Sequence, residues 1–358
     1  MRVPVRTRAR DPYPEAIMSV PLVDGFGRVH RDLRISVTDR CNFRCTYCMP
    51  EEGMTWIPRA DLLSYEELAR VAGVFVERFG FESIRLTGGE PTVRAHLPVL
   101  IEKLSRLQVP GRDGAPSRPV DIALTTNGAT LRTAAHDLAA AGLRRINVSC
   151  DSLRRDRFLA MTRRDELEAV LDGIDAAIEA GLSPVKVNVV AMRGVNDDEL
   201  VDFARFGRER GVTVRFIEFM PLDAQEAWTN DQVLTQDEIL ATIAAAFPLE
   251  PVGSASRGSE PAERFRYLDG GGEVGVIPSV THAFCDSCDR VRLTAEGELR
   301  SCLFALDAHD LRGPLRLGAS DDDLAEIVQT AVAAKWAGHQ INQPVFIRPS
   351  KSMSQIGG

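Results

Sequence analysis

Residues 33–50, LRISVTDRCNFRCTYCMP, hold the feature that decides the fold: an apolar strand that runs directly into a cysteine-rich loop. The thiols of Cys41, Cys45 and Cys48 follow one another in a CX3CX2C spacing. One tight loop thus supplies three thiolates, whereas a [4Fe–4S] cluster usually takes four. Three ligands leave one iron open to a small molecule. A zinc or electron-transfer site is the alternative, but zinc needs a fourth ligand, and the local sequence offers none.

Outward from this loop, strand and helix patterns alternate along the chain. Strands rich in Val and Ile are predicted at residues 31–37, 83–87, 120–126, 145–150, 184–191 and 212–219. Helices are predicted at residues 64–79, 94–107, 131–141, 166–180, 197–210 and 235–247. This alternation predicts an α/β fold with a parallel sheet and right-handed crossovers. Because no GxGxxG follows the first strand, a partial (β/α)6 TIM-type barrel is favoured over a dinucleotide-binding sheet.

The chain beyond the barrel has a different pattern. A small-residue linker at 251–261 precedes short strands at 264–269, 273–277, 290–294 and 299–303 and a helix at 321–335. We expect four segments: a flexible extension at 1–20, the barrel at 21–250, a smaller α+β domain at 251–348 that closes the barrel mouth, and a tail at 349–358. Such barrels carry their active sites at the C-terminal ends of the strands, so we expect the functional residues there.

Composition excludes several classes of protein. The 358 residues carry a formal net charge of −8, and 44% of them are hydrophobic, which excludes a disordered chain and disfavours a nucleic-acid binder. No apolar run approaches ~18 residues, so no membrane span is predicted. The seven cysteines, with no secretory signal, argue for metal or redox chemistry in a reducing cytoplasm. Cys150 stands apart from the others and is interpreted as a buried free thiol.

A second trio of cysteines lies nearer the C-terminus. Its members are Cys285, Cys288 and Cys302. Their CX2CX13C pattern again lacks a fourth cysteine. Arg290 and Arg292 alternate along the strand that follows, so both point to one face of it. Two guanidinium groups beside a metal centre suit an anionic, phosphorylated substrate. A zinc site completed by His282 or His309 is the alternative.

Two motifs together resemble those of the radical SAM superfamily, whose members cleave S-adenosylmethionine (SAM) reductively. They are the first cysteine motif, with Tyr47 before its last cysteine, and the GGEP sequence at residues 88–91 after the second strand. With the second trio and the RVR sequence at 290–292, the chain resembles the GTP 3′,8-cyclase family of molybdenum cofactor biosynthesis from about residue 25 to its end. This resemblance implies two [4Fe–4S] clusters, one on each trio. It also implies SAM at the open iron of the first and the guanine of GTP at that of the second.

The resemblance also assigns roles to single residues. Its SAM contacts fall on Tyr47, Gly89, Ser149 and Met220. Its GTP contacts fall on Arg34, Arg85, Thr125, Lys186, Arg215, Arg290 and Arg292. Arg34 is further implied to assist radical quenching, which makes it the catalytic candidate. The family ends in a Gly-Gly pair whose tail enters the active site, and this pair corresponds to Gly357 and Gly358.

Most of these matches have a structural alternative. Arg34 also fits a surface strand position, Thr125 an ordinary βα turn, and Ser149 a helix cap. Met220 fits a core position, and the terminal glycines fit a frayed end. Lys186 differs, because a lone cation within an apolar strand is costly unless an anion pairs with it.

The implied reaction is the reductive opening of SAM and the conversion of GTP to (8S)-3′,8-cyclo-7,8-dihydroguanosine 5′-triphosphate. The implied partners are an external electron donor and a downstream cyclic pyranopterin monophosphate synthase. We expect no nucleic acid or membrane partner, and a monomer or homodimer. Two other hypotheses stay open. A peptide-modifying radical SAM enzyme leaves the RVR sequence at 290–292 unexplained, and a non-enzymatic zinc or iron–sulfur module predicts no SAM cleavage.

Overall fold

The structure of the protein is a computed structural model that describes residues 19–112, 115–222, 228–253, 258–341, 343–349 and 351–357. Residues 1–18, which make up most of the expected extension, lie outside the described residues, and so does Gly358 of the expected tail. Within the described residues, no helix combines the length and the apolar character that crossing a membrane requires.

Strands and helices alternate over most of the described chain. The strands are β1 (Asp32–Ser36), β2 (Ser83–Thr87), β3 (Gln108–Val109), β4 (Arg118–Pro119), β5 (Asp121–Thr126), β6 (Arg145–Ser149), β7 (Val185–Ala191), β8 (Thr213–Glu218), β9 (Leu249–Pro251), β10 (Glu263–Tyr267), β11 (Glu273–Ile277), β12 (Arg290–Leu293), β13 (Glu298–Arg300) and β14 (His309–Asp310). The α-helices are α1 (Tyr65–Gly73), α2 (Leu97–Ser105), α3 (Leu131–Ala140), α4 (Arg155–Thr162), α5 (Leu167–Glu179), α6 (Leu200–Arg210), α7 (Gln236–Ala246), α8 (Arg312–Arg316), α9 (Asp321–Ala333) and α10 (Met353–Ile356).

One sheet of twelve strands organises the molecule, in the order β14-β13-β12-β1-β2-β5-β6-β7-β8-β11-β10-β9. Its six central strands pair in parallel and in chain order from β1 to β8, which confirms the predicted (β/α)6 arrangement. The C-terminal part of the chain extends both edges, because β12 pairs in parallel with β1 and β11 pairs in parallel with β8. The wall of the partial barrel therefore continues into C-terminal strands on both sides.

The alternation of side chains along each strand separates the core from the site. On β7, Val187 and Val189 are fully or almost fully buried in the main hydrophobic core. Asn188 and Val190, between and after them, line a cavity on the opposite face. The apolar residues of the strands thus hold the helices on the outside, while the polar residues of the same strands face the inside of the barrel.

Some element boundaries differ from the predictions. The first helix begins with a capping box, in which Ser64 and Glu67 bond reciprocally, and a π-helical stretch at Val74–Arg78 extends it. The second helix begins at Leu97 and not at residue 94, because a 3-10 turn at Pro91–Val93 precedes it and His96 has a φ of 63°. The sequence patterns also missed α4.

Candidate active site

One cavity opens at the C-terminal ends of the parallel strands. Its cavity volume is about 290 Å³, close to the lower end of the ~300–1000 Å³ that is typical of ligand pockets. Most of the predicted site residues line it: Arg34, Cys41, Cys45, Tyr47, Cys48, Arg85, Gly89, Thr125, Ser149, Arg215, Met220, Cys285, Cys288, Arg290, Arg292 and Cys302. The fold therefore brings both cysteine trios to the same space, although they lie far apart in the sequence.

The first trio occupies the loop after β1. Its tight backbone is held by a hydrogen bond from Cys48 N to Cys45 O at 3.0 Å, and Phe43 N donates to Cys41 Sγ at 3.3 Å. Burial raises the pKa of Cys41 to about 11 and that of Cys48 to about 12. Thiols in such surroundings stay protonated unless a metal centre replaces the proton. Three thiols that face one cavity, with no fourth cysteine beside them, fit the three-ligand [4Fe–4S] cluster of a radical SAM enzyme.

The GGEP sequence lies against this loop with almost no space between the backbones. A Cβ at Gly88 would lie 2.3 Å from Thr38 O, and one at Gly89 would lie 2.4 Å from Arg40 O. Gly88 also has a φ of 150°. Glu90 accepts hydrogen bonds from Thr92, Thr126 and Asn127 at 2.6–3.0 Å. The glycines thus allow close backbone approach, and Glu90 ties the β2 loop to the β5 loop.

Asp151 holds Tyr47 in place at the cavity wall. Tyr47 Oη donates to Asp151 Oδ2 at 2.6 Å, and Val190 N donates to Asp151 Oδ1 at 2.8 Å. Burial raises the pKa of Asp151 to about 6, although both hydrogen bonds act against that rise. Asp151 lines the cavity, yet the sequence analysis did not name it, since one carboxylate after a strand carries no pattern.

Three arginines lie side by side across β12, β1 and β2, because Arg292 is in register with Arg34 and Arg34 with Arg85. Burial lowers the pKa of all three guanidinium groups, and the charges of Arg292 and Arg85 lower that of Arg34 further. Among the described groups, Arg34 Nε and Arg85 Nε are buried with no hydrogen-bond partner. Positive charges gathered in this way favour an anion with several charges.

Asparagine side chains hold Arg215 on the opposite wall. Its Nη2 donates to Asn147 Oδ1 at 2.8 Å and to Asn188 Oδ1 at 2.7 Å. Asn147 also donates to Thr125 Oγ1 at 3.2 Å, so Thr125 belongs to the same network. Burial lowers the pKa of Arg215 to about 9. The asparagines are neutral, which leaves the charge of Arg215 available to a ligand, and neither of them was predicted.

Lys186 is a predicted GTP contact that is not among the residues lining the cavity. Its Nζ donates to Glu260 Oε1 at 2.8 Å. Burial lowers the pKa of Lys186, and the positive charge of Arg215 lowers it further. The anion that a lysine in an apolar strand requires is therefore supplied here by Glu260, from the segment between β9 and β10.

The second trio lines the same cavity as the first. Burial raises the pKa of the Cys285 thiol. For Cys288, burial also acts to raise the pKa, but the charges of Arg290 and Lys335 outweigh it and lower the pKa. Of the histidines considered for a zinc site, His282 is exposed. His339, which the sequence analysis did not consider, is the histidine that lines the cavity.

The C-terminal segment reaches the cavity as well. Ser354 lines it, and Arg292 Nη1 donates to the carbonyl oxygen of Gly357. Gly357 has a φ of 83°, and a Cβ there would lie 2.3 Å from Ser36 Oγ. The first glycine of the predicted pair therefore lies against β1 and needs the absence of a side chain.

Comparisons with known proteins agree with this geometry. The family model of the radical SAM superfamily matches residues 35–207, and the model described as Molybdenum Cofactor Synthesis C matches residues 212–341. A protein of Streptomyces coelicolor named GTP 3′,8-cyclase is 48% identical over 337 residues, which cover 94% of this chain and 96% of that protein. GTP 3′,8-cyclase 2 of Mycobacterium tuberculosis H37Rv is 50% identical over 94% of this chain and 92% of its own length. The GTP 3′,8-cyclase of Rhodopirellula baltica is 45% identical over 99% of this chain and 98% of its own.

Solved structures show the same architecture. The crystal structure of Streptococcus suis SuiB bound to S-adenosylmethionine has a TM-score of 0.56 to this chain, at 11% sequence identity. The similarity covers 90% of this chain and 77% of SuiB, and it concerns the fold alone. The family itself is identified by the relatives that match this chain at 45–50% identity over 92–98% of their own length. The chain belongs to the GTP 3′,8-cyclase family, within the radical SAM superfamily.

Proposed function

We propose that this chain is a radical SAM GTP 3′,8-cyclase, which converts GTP to (8S)-3′,8-cyclo-7,8-dihydroguanosine 5′-triphosphate in the first step of molybdenum cofactor biosynthesis. The observation that carries this proposal is a single cavity lined by two cysteine trios and five arginines. Such a cavity can hold a redox-active metal centre, a second metal centre and a polyanion. This combination matches a reaction on a nucleoside triphosphate. The names of the full-length relatives support the same assignment.

Each trio has the donor set for one cluster. Cys41, Cys45 and Cys48 hold the [4Fe–4S] cluster that binds SAM, and the second trio holds a second [4Fe–4S] cluster that binds the guanine of GTP. When bound, the first cluster and SAM supply one-electron chemistry that removes a hydrogen atom from the ribose. The protein contributes orientation and charge, since reactions of this kind depend on the cofactor for the difficult chemistry.

The SAM end of the cavity is built from rigid backbone. Gly89 lets the β2 loop pack directly against the backbone of the cysteine loop, and Tyr47, fixed by Asp151, supplies a flat side chain at the same end of the cavity. Ser149, at the end of β6, and Met220, just after β8, also line the cavity. These residues would position SAM against the first trio.

The GTP end is built from cations. Arg34, Arg85 and Arg292 present a continuous positive surface for the triphosphate, and Arg215 and Thr125 face it from β8 and β5. Arg290 stacks over Phe284 at 4.5 Å beside the second trio. Arg34 is the catalytic candidate, because the family resemblance implies that it assists radical quenching, and its buried Nε has no hydrogen-bond partner among the described residues, which leaves it to a ligand. Lys186 contacts the substrate once its ion pair with Glu260 opens.

The remaining partners follow from the chemistry. Cleaving SAM consumes an electron, so an external donor must reduce the first cluster. The cyclised triphosphate is consumed by a separate synthase that forms cyclic pyranopterin monophosphate. We place the protein in the cytoplasm, where reduced cysteines are stable, as a monomer or homodimer.

The test is anaerobic incubation of the reconstituted protein with SAM, GTP and a strong reductant. We expect 5′-deoxyadenosine and the cyclised nucleotide to form in equal amounts. Cys302→Ser is expected to reduce GTP turnover more than SAM cleavage, while Cys41→Ser abolishes both. Formation of 5′-deoxyadenosine without consumption of GTP would show that the substrate assignment is wrong. Colourless protein with bound zinc would exclude the radical SAM activity altogether.

A further inference from the structure

Lys335 lies behind the second cysteine trio. It follows α9, and only 4% of its surface is exposed. Its Nζ donates a hydrogen bond to the carbonyl oxygen of Arg290 at 2.8 Å and another to Cys288 Sγ at 3.7 Å. The end of a buried lysine thus touches one of the three thiols of this trio and the backbone of the arginine beside it.

The surroundings of Lys335 call for a negative charge at the cysteines. Its ammonium contacts Cys288 Sγ and the carbonyl oxygen of Arg290, and neither atom carries a full negative charge while the thiol is protonated. Removing an ammonium from water costs several kcal/mol unless an anion compensates. The sulfurs of the trio are therefore the natural counter-charge, and they carry that charge when they ligate a metal centre.

Arg28 fixes the same region through the main chain. Its Nη1 donates to Cys285 O at 2.8 Å and to Ala337 O at 2.6 Å, and its Nη2 donates to Trp336 O at 2.6 Å. Asp24 in turn binds Arg28 Nε at 2.6 Å. These contacts join the loop of Cys285 to the residues just after Lys335, so the lysine is held at a fixed distance from the trio. At the trio, Arg28 contacts the backbone oxygen of Cys285, whereas Lys335 contacts a sulfur.

We propose that Lys335 is a positioning residue of the second cluster: its ammonium supplies the hydrogen bond and the positive charge that stabilise the ligated Cys288. The inference rests on the proposed function, which places a [4Fe–4S] cluster on this trio. Hydrogen bonds to cysteine sulfur and nearby charge set the reduction potential of such clusters. The bond to Arg290 O links the same lysine to the strand that carries Arg290 and Arg292 into the cavity.

The test isolates the second cluster in the full-length chain by changing Cys41, Cys45 and Cys48 to Ser. In this parent, Lys335→Met removes the charge and the donor, Lys335→Arg keeps both, and Lys103→Met is the matched control, because Lys103 pairs with Glu66 at the surface. After anaerobic reconstitution, three quantities are measured: iron per chain, the rate of iron loss to a chelator, and the midpoint potential of the cluster.

We expect Lys335→Met to hold the cluster about 10–100-fold less tightly than the parent, as is usual for residues that support metal ligands. Its midpoint potential is expected to shift to more negative values, because a positive charge beside the cluster favours the reduced form. For Lys335→Arg, both the affinity for the cluster and the midpoint potential are expected to lie between those of the parent and of Lys335→Met. Lys103→Met is expected to match the parent in both.

Two outcomes separate the failure of this inference from the failure of the proposed function. If the parent binds iron and Lys335→Met keeps the same iron and the same potential, the role of Lys335 is wrong and the second cluster stands. If the parent binds no iron, the second cluster itself is wrong. Should metal-free Lys335→Met fail to fold, Lys335→Gln decides, since it keeps an N–H donor without the charge. An unchanged potential in that variant overturns the inference, and a negative shift supports it.

Discussion

The pair of Tyr47 and Asp151 shows how one buried side chain sets a pH dependence. Burial raises the pKa of Asp151 from 3.8 to about 6. The folded protein therefore binds this proton more tightly than the unfolded chain does, so the contribution of Asp151 to the free energy of unfolding falls as the pH rises from about 4 to about 6. We expect Asp151→Asn to lack this fall, which urea unfolding of both proteins between pH 4.5 and 7.5 measures.

Asp165 is the control, because the shift of its pKa has the opposite sign to that of Asp151. Its exposed carboxylate bonds Arg155, which lowers its pKa. Stability from such a group is present above its unfolded pKa and is lost as the pH falls. A difference between the wild type and Asp151→Asn that stays constant across this pH range would contradict the raised pKa of Asp151.

Gly88 is a second residue whose environment dictates its identity. A Cβ would meet Thr38 O at 2.3 Å, and the φ of 150° disfavours any side chain. We expect Gly88→Ala to lower the free energy of unfolding by about 1–3 kcal/mol, the typical cost of overpacked or strained core variants. Gly253→Ala is the control, because nothing lies within 4 Å of a Cβ there. Equal thermal midpoints for the two variants would show that the β1 and β2 loops can separate.

The site residues that could be predicted from the sequence are those that belong to a short motif of fixed spacing. Both trios and GGEP are such patterns, and both trios and the first three residues of GGEP line the cavity. Asp151, Asn147 and Lys335 could not be found in this way, because their contacts join different strands or a strand and a distant helix. Their only signal was polarity or charge in a buried context, which becomes visible once the strand order is known.

At the scale of elements, the register of β12, β1 and β2 places Arg292, Arg34 and Arg85 next to one another. The surroundings of Arg85 lower its pKa, so they disfavour its charged form. We expect Arg85→Met to raise the thermal midpoint of the substrate-free protein. The KM for GTP is expected to rise about 10- to 100-fold, the worth of one charge-assisted hydrogen bond of ~1.5–3 kcal/mol.

A surface arginine provides the matched comparison for this prediction. Arg154 pairs with Asp198 at 2.6 Å and is 45% exposed. Exposed pairs contribute little to stability, so Arg154→Met should change neither the midpoint nor KM. A lower midpoint for Arg85→Met, with KM unchanged, would mean that Arg85 is a structural residue and not part of the polyanion site.

The type of each secondary-structure element was easier to predict than the residues at which it begins and ends or the strands with which it pairs. Strands β1, β2, β5, β6, β7 and β8 all fall within the predicted ranges, because their apolar residues face helices. The start of α2 was misplaced by the turn at Pro91–Val93, whose geometry depends on Glu90 bonding Thr92. The pairing of β12 with β1 and of β11 with β8 joins residues far apart in the sequence, so local patterns could not reveal it.

At the scale of the whole molecule, the C-terminal part of the chain completes the barrel wall. Glu218, at the end of β8, accepts hydrogen bonds from Val280 N and Thr281 N at 2.8 Å and from Gln236 N at 3.0 Å. One fully buried carboxylate thus ties the last barrel strand to α7 and to the segment after β11. The site depends on this closure, because Cys285 and Cys288 reach the cavity from that same segment.

This architecture predicts how truncated chains behave. A chain that ends at residue 250 loses β11 and β12, which leaves the edges of β8 and β1 unpaired. Exposed strand edges promote aggregation, and the first trio would lose the opposite wall of its cavity. We expect this short chain to be insoluble or to elute as large aggregates in size-exclusion chromatography. A chain that ends at residue 349 keeps both edge pairings and should elute like the full protein, although its cavity loses Met353, Ser354 and the contact of Gly357 with Arg292. A soluble, monomeric chain of 250 residues would show that the barrel is stable without its C-terminal strands, and that these strands serve the substrate site alone.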